Sequence, residues 1–588
     1  MKTILTIMLL SISSLTAYGQ ELNEEMILSA MDAEQQRSIR NLKLGDLARP
    51  YHIEYFLQIR RSASVHSVLG TVEDMDSGTT AALTVRVRVG GSKFDNTNFF
   101  DVSLGFFGSS DDEEGFKNRR IPFEITEAGL RRELWLATDA CFKQAVEVYA
   151  KKESALKNRT QTDTTWDYIL LPGEVMSDQS RAHVTPNVTS MRLLTEKLSS
   201  IFRTYPSIQS SRVGIEVVPK ETFYCNTEGR RFHKFECFTG IEVIATTQAV
   251  DGMPLAQTYS AFGITPADLP SADSLERAVQ RLAQRLNAQV SAPMIEAYSG
   301  PVLFEGHAAA GIFGQFFAPN LVAQRQPLSE GGFSTNDRNQ AFQNKIGARV
   351  LPEFLSVSDV PLRERDNGRV LAGHYTLDDE GIRAQDVSLV EKGYLKALLS
   401  SRVPTKRVKS SNGHQRGGGA MIGVVEVTCS DAKRSLTPIE LKKKLLKLVK
   451  DRELPYGIIV RAAMDQNLLF TGVFRQVGSD LPISQGEGKI GLLEAYKVYA
   501  DGREELIRGV DAAGVAPASF KDILSVSKSS TVHNFLAPSV IPSFMSGGSA
   551  YIIATVITPD LLFEDLEVRP LDGDMPKPPS LANPIAGE

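Results

Sequence analysis

The chain has 588 residues, 42% of them hydrophobic and 23% charged. This is the composition of ordinary globular proteins, at a length that accommodates two to four domains of ~150 residues each. Lys+Arg and Asp+Glu nearly balance, leaving a net charge of -5, so nothing global points to nucleic acid. Four cysteines, Cys141, Cys225, Cys237 and Cys429, are too few for a disulfide-stapled scaffold. They lack the Cys-x-x-Cys spacing of a structural zinc site.

Residues 1–19 read as a secretory signal. Lys2 supplies the positive charge, Ile4 to Leu15 the short apolar run, and Ala17-Tyr-Gly19 the small residues of a cleavage site, which puts the mature start at Gln20. The expected location is exported, periplasmic or extracellular. No later run reaches 18 apolar residues, so no membrane span is expected.

Glu24 to Leu42 reads as one helix. Pro50 to Ile59 has the β-branched and aromatic density of a strand. Leu83, Val85, Val87 and Val89 alternate with Thr84, Arg86 and Arg88, the pattern of a half-buried antiparallel strand. Amphipathic helices are expected over Leu130–Lys157 and Val188–Phe202. A β region follows, with Val213–Val218, a strand and turn through Phe223-Tyr-Cys-Asn-Thr-Glu-Gly-Arg230, and Cys237–Gln248. A hairpin about Asn226–Gly229 pairs Cys225 with a residue near 230 and not with Cys237, and whether the two form a disulfide stays open. Leu275, Val279, Leu282 and Leu286 stand at helical spacing over Ser274–Val290, with Ser274 as N-cap.

Ala292-Pro293 and Gly300-Pro301 punctuate the chain. They divide it into an N-terminal α/β domain, 20–295, and a C-terminal β-rich domain, 296–570. The Pro- and Asp-rich tail, 571–588, is expected to be mobile. In the second half, Tyr375-Thr-Leu-Asp-Asp-Glu-Gly-Ile-Arg383 reads as a turn, and Val387 to Lys396 as two strands about a Lys-Gly turn. Thr437-Pro-Ile-Glu440 forms a capping box with Leu436 and Leu441 as a staple. Leu441, Leu445, Leu448 and Val449 make the buried stripe of that helix, and its lysines the solvated face. Gly417-Gly-Gly-Ala-Met421 lacks a Walker Lys-Ser/Thr and reads as a mobile loop. No Gly-x-Ser-x-Gly elbow is present. The eight histidines are scattered, no two at helix-face spacing.

The stretch Gly300-Pro-Val-Leu-Phe-Glu-Gly-His-Ala-Ala-Ala-Gly-Ile-Phe-Gly-Gln315 resembles the segment of the TldD/PmbA family (modulator of DNA gyrase proteins) that in TldD-type members carries a zinc motif, His-Glu-x-x-x-His. On that frame the first His falls on Glu305, the Glu on Gly306 and the second His on Ala310. Asn226-Thr-Glu-Gly229 resembles the family's Asn-Ser-Glu-Gly hairpin. Asp378-Asp-Glu-Gly381, Ser410–Arg416, Glu494–Gly502 with Ile507–Val510, and Ala537–Ser543 with Leu561–Leu566 continue the likeness, from about residue 50 to 570. It implies an α+β fold whose C-terminal domain is barrel-like. It also implies proteolysis of peptides or unfolded chains by a dimer in which a TldD-type subunit holds zinc and a PmbA/TldE-type subunit does not.

A catalytic zinc needs about three protein ligands and an open position for water, and a carboxylate to take the water's proton. Gly306 offers no base and Ala310 no lone pair. TldD-type members also complete the zinc site with a late Cys; the corresponding region, Ser529–His533, has none. The expectation is therefore no catalytic residue and no cofactor, in a homodimer or a heterodimer with a TldD-type subunit. Phe304, Phe313, Phe316 and Phe317 beside Ala308–Gly311 suggest its interface. The alternatives are a rebuilt zinc site from Glu305, His307, His414 and His533, and a stand-alone periplasmic peptide-binding protein.

Overall fold

A computed structural model describes residues 22–100, 119–157, 164–178, 184–325, 327–329, 340–465, 488–539, 551–571, 575–581 and 583–584. The expected signal segment and its cleavage point lie outside them.

The architecture is α+β. The N-terminal half is built on five antiparallel strands: β1 (Pro50–Val68), β2 (Thr71–Gly91), β3 (Ser210–Asn226), β4 (Arg231–Gln248) and β5 (Pro254–Gly263). Their order is β2-β1-β3-β4-β5. Leu69 and Gly70 both take positive φ between β1 and β2, which suits a two-residue hairpin to the right-handed twist of its strands. Leu83, Val85, Val87 and Val89 are buried as their alternation predicts, against α1 (Glu24–Asn41) and α2 (Glu127–Lys157). A second core forms where α3 (Val188–Ser200) and α4 (Ala272–Gln289) cover β3, β4 and β5.

The N-cap of α4 is Ser271, whose side chain accepts from Ser274 N–H, so the helix begins one turn earlier than Ser274 suggested. The expected β pieces around Pro219 are one strand, since β3 runs through Pro219, opposite Cys237. Cys225 stands opposite Arg231 in the same hairpin, and the four cysteines are free thiols.

The C-terminal half closes a five-stranded barrel from β6 (Tyr298–Phe304), β9 (Gly457–Ala463), β10 (Ile490–Val498), β11 (Val510–Ala513) and β13 (Tyr551–Pro570). The last strand pairs back onto β6. From β13 the sheet continues through β8 (Val424–Cys429) and β7 (Leu355–Asp359), while β12 (Ile523–Pro538) forms a long antiparallel ladder with β13. Helix α5 (His307–Ile312) follows β6 and runs into a π-helical turn, Phe313–Phe317. Helix α6 (Pro438–Asp451) starts at the expected capping box, with Thr437 N–H donating to Glu440 Oε2 at 2.8 Å and Glu440 N–H to Thr437 Oγ1 at 3.3 Å. Its lysine face is not wholly solvated, because Lys442 pairs with Glu504 at 2.7 Å.

Phe304, Phe313 and Phe317 are fully buried in the core of their own chain, and Phe316 sits half-buried at its edge. Phe317 packs on Phe313, Phe342 and Phe520 at centroid distances of 4.8, 5.0 and 5.3 Å. The aromatic density that suggested an interface is thus interior packing, the commoner fate of such residues. The Ser410–Gly419 segment is likewise tied down. His414 is fully buried, and Arg416 donates to the carbonyls of Ile422 and Ile553 at 3.0 Å each. In the tail, Met575 packs against the α3–α4 core, and Pro576 O accepts from Gln248 Nε2 at 3.1 Å.

Candidate functional site

β6 delivers Glu305 and Gly306 to the start of α5 at one end of the barrel. Gly306 takes φ +55°, a conformation that L side chains rarely adopt, so the backbone itself calls for glycine where the zinc motif has its base. Its N–H donates to Asp560 Oδ1 at 2.7 Å, and Asp560 N–H is anchored on Ser527 Oγ at 2.7 Å. Burial pushes the Asp560 carboxyl above the usual carboxylate range, with Glu305 adding to the shift. Glu305 is already engaged. Arg461 Nε donates to it at 2.9 Å, and the same guanidinium binds Glu504, which also holds Lys442. Ala310 is sealed in the core at 0% exposure.

The ladder of β12 brings His533, opposite Val556, over the start of α5. His307 Nδ1 and His533 Nδ1 lie 3.3 Å apart, and the His533 ring stacks parallel on Phe535. His307 is exposed and His533 half-buried. Desolvation still lowers both pKa values. Burial and the neighbouring ring bring His533 down to about 3; burial and Arg369 lower His307. Both rings are neutral at physiological pH.

The four expected candidates therefore divide. His307 and His533 come together. Glu305 is nearby in the chain but turned into a charge chain with Arg461. His414 is elsewhere, with Nδ1 2.9 Å from the carbonyl and the side-chain oxygen of Asn412, and Nε2 3.8 Å from Asp359 Oδ1. Among the described residues no group of three or more His, Cys, Asp or Glu is placed to hold a metal ion. The donor set does not fit a catalytic zinc, which needs about three ligands. Asp560 and Arg461 were missed from the sequence; neither lies in a motif, and only the barrel's closure brings them to Gly306 and Glu305.

The family model described as the PmbA/TldA metallopeptidase C-terminal domain matches residues 296–569, the barrel and the site it carries. The C-terminal domain is a TldD/PmbA-family domain. The Metalloprotease PmbA homolog of Haemophilus influenzae is 25% identical over 214 residues, a match spanning 36% of this chain and only 40% of that protein. Two solved structures share the fold at low identity. A candidate modulator of a DNA gyrase from Thermotoga maritima has a TM-score of 0.57 at 13% identity, over 92% of this chain and 99% of that one. TldE from Thermococcus kodakarensis has a TM-score of 0.54 at 14% identity, with the same coverage. No helix among the described residues is long and apolar enough to cross a membrane.

Proposed function

We propose that this TldD/PmbA-family chain is an exported, zinc-free subunit that takes part in proteolysis of peptides or unfolded chains, as a homodimer or beside a TldD-type subunit. The observation that carries the reading is the state of the motif positions. Glu305 is paired with Arg461, Gly306 is a backbone-dictated glycine and Ala310 is a core residue. The chain retains the fold and lacks the chemistry, so its contribution is to shape a peptide-binding chamber. The expected result is no chelator-sensitive peptide cleavage by the chain alone, and cleavage when a TldD-type subunit is added. Chelator-sensitive cleavage by the pure chain would overturn the proposal. If the chain binds peptide and ignores a TldD-type subunit in light scattering, the stand-alone peptide-binding reading replaces it.

One observation favours a second reading, a displaced metal site. Two nitrogens at 3.3 Å have about the spacing they would take around one tetrahedral ion at ~2.0–2.1 Å from each. Two donors remain one short, and a third would have to come from substrate or a partner. Export has its own check. The secreted protein's intact mass should begin at Gln20, and retention of Met1 would mark residues 1–19 as an uncleaved anchor.

A further inference from the structure

Two motifs that the zinc question leaves aside meet in one buried cluster between the two halves of the chain. Glu228 comes from the Asn226–Gly229 hairpin, and Glu380 from the Asp378–Gly381 turn. Between them stands Tyr168, fully buried, its ring flanked by the guanidiniums of Arg88 and Arg402 at 3.7 and 4.4 Å. Its hydroxyl lies 3.1 Å from Glu54 Oε1 and 3.2 Å from Glu380 Oε1. Glu54 is 0% and Glu380 2% exposed.

A phenol has one hydrogen to donate. With both carboxylates ionised, one of the two contacts would set lone pair against lone pair in a medium where an unmade hydrogen bond is costly. One further proton resolves this: the phenol donates to one carboxylate and accepts from the other as an acid. The surroundings say which is which. Glu54 has Arg86, Arg88 and His52 at 3.6, 3.7 and 3.4 Å. The second oxygen of each carboxylate lacks a hydrogen-bond partner, but Glu380, unlike Glu54, has no direct ion pair among the described residues.

We propose that Glu380 is a protonated carboxylic acid in the folded protein, and that its proton, shared through Tyr168 with Glu54, latches the N-terminal domain to the C-terminal domain. The junction then weakens as pH rises and Glu380 ionises.

The other groups that face it are consistent with this. Burial raises the Glu380 pKa, and the Glu54 charge raises it further against Arg402, Arg88 and Arg86. Burial would raise Glu54 too, but His52 and the three arginines outweigh it and hold it down. Glu228 also has burial against it, and His52 and Arg402 keep it at about 2. Burial keeps Tyr168 and Tyr224 as neutral phenols. Asp378 accepts N–H groups from Glu380, Ile382 and Gln415, which satisfy its anionic form. Burial and the Glu380 charge push it up to about 8; a proton on Glu380 removes the second push. For a carboxyl whose folded pKa is raised, the stabilisation is complete below its ordinary value of 4.5 and is lost as pH climbs through the folded value.

The test is infrared spectroscopy of the full mature chain near neutral pH, with the thermal midpoint followed as pH is raised. The expected result is the carbonyl band of a buried carboxylic acid in wild type, absent from Glu380→Gln, and a fall in midpoint with rising pH that this variant flattens. A spectrum without that band, or a midpoint with the same pH slope in both proteins, would overturn the proposal. Tyr168→Phe serves if Glu380→Gln does not fold. It keeps the ring between its guanidiniums and removes the hydroxyl, so the band should shift; an unmoved band also overturns the proposal.

Discussion

Replacing Arg402 with alanine should cost about 3–5 kcal/mol of stability, the range for breaking a buried ion pair by removing one partner. Arg402 is 0% exposed. Its Nε donates to Ile169 O at 2.9 Å, its Nη2 to Glu228 Oε1 at 2.5 Å, and its guanidinium lies over Tyr168. Alanine would leave the Glu228 carboxylate without its guanidinium, with Leu171 N–H and Asn226 Nδ2 still donating to it, and would take a donor from Ile169 O. Arg402→Lys should recover only part of the loss, since one ammonium cannot reproduce the planar fork. Denaturant unfolding measures this; a change under 1 kcal/mol in Arg402→Ala would show that the cluster does not hold the domains.

Phe317→Ala should lose about 3–5 kcal/mol, as large-to-small changes in a packed aromatic core do. The ring is in contact with Phe313, Phe342 and Phe520. The oligomeric state by light scattering should be the same as in wild type, because the ring faces its own chain. Dissociation of an otherwise stable protein would return Phe317 to the interface.

Periodicity was legible wherever one element had one buried face. The alternation of β2, the stripe of α4 and the capping box of α6 were each readable, because spacing and local hydrogen-bond chemistry determine them. Boundaries were less so. Pro219 looks like a break, yet it lies within β3 because the flanking ladder with β4 is long enough to tolerate a missing donor. The loss of the motif groups at Glu305, Gly306 and Ala310 was visible, but not its local reasons. These depend on Asp560 and Arg461, which lie more than 150 residues away in the chain and reach the site only when β13 and β9 pair with β6. The same holds for His307 and His533. Nothing in their spacing announces a 3.3 Å contact, while His414, which seemed an equal candidate, is buried elsewhere with its Nδ1 on Asn412. The meeting of Glu228 and Glu380 was equally hidden, because each motif reads locally as a turn.

The most direct measurement of the central claim is the zinc content of the purified mature chain after exhaustive dialysis. Two neutral imidazoles without a third donor should not retain a zinc ion, and the account predicts well under one zinc per chain. One zinc per chain, lost on His307→Ala or His533→Ala, would contradict it.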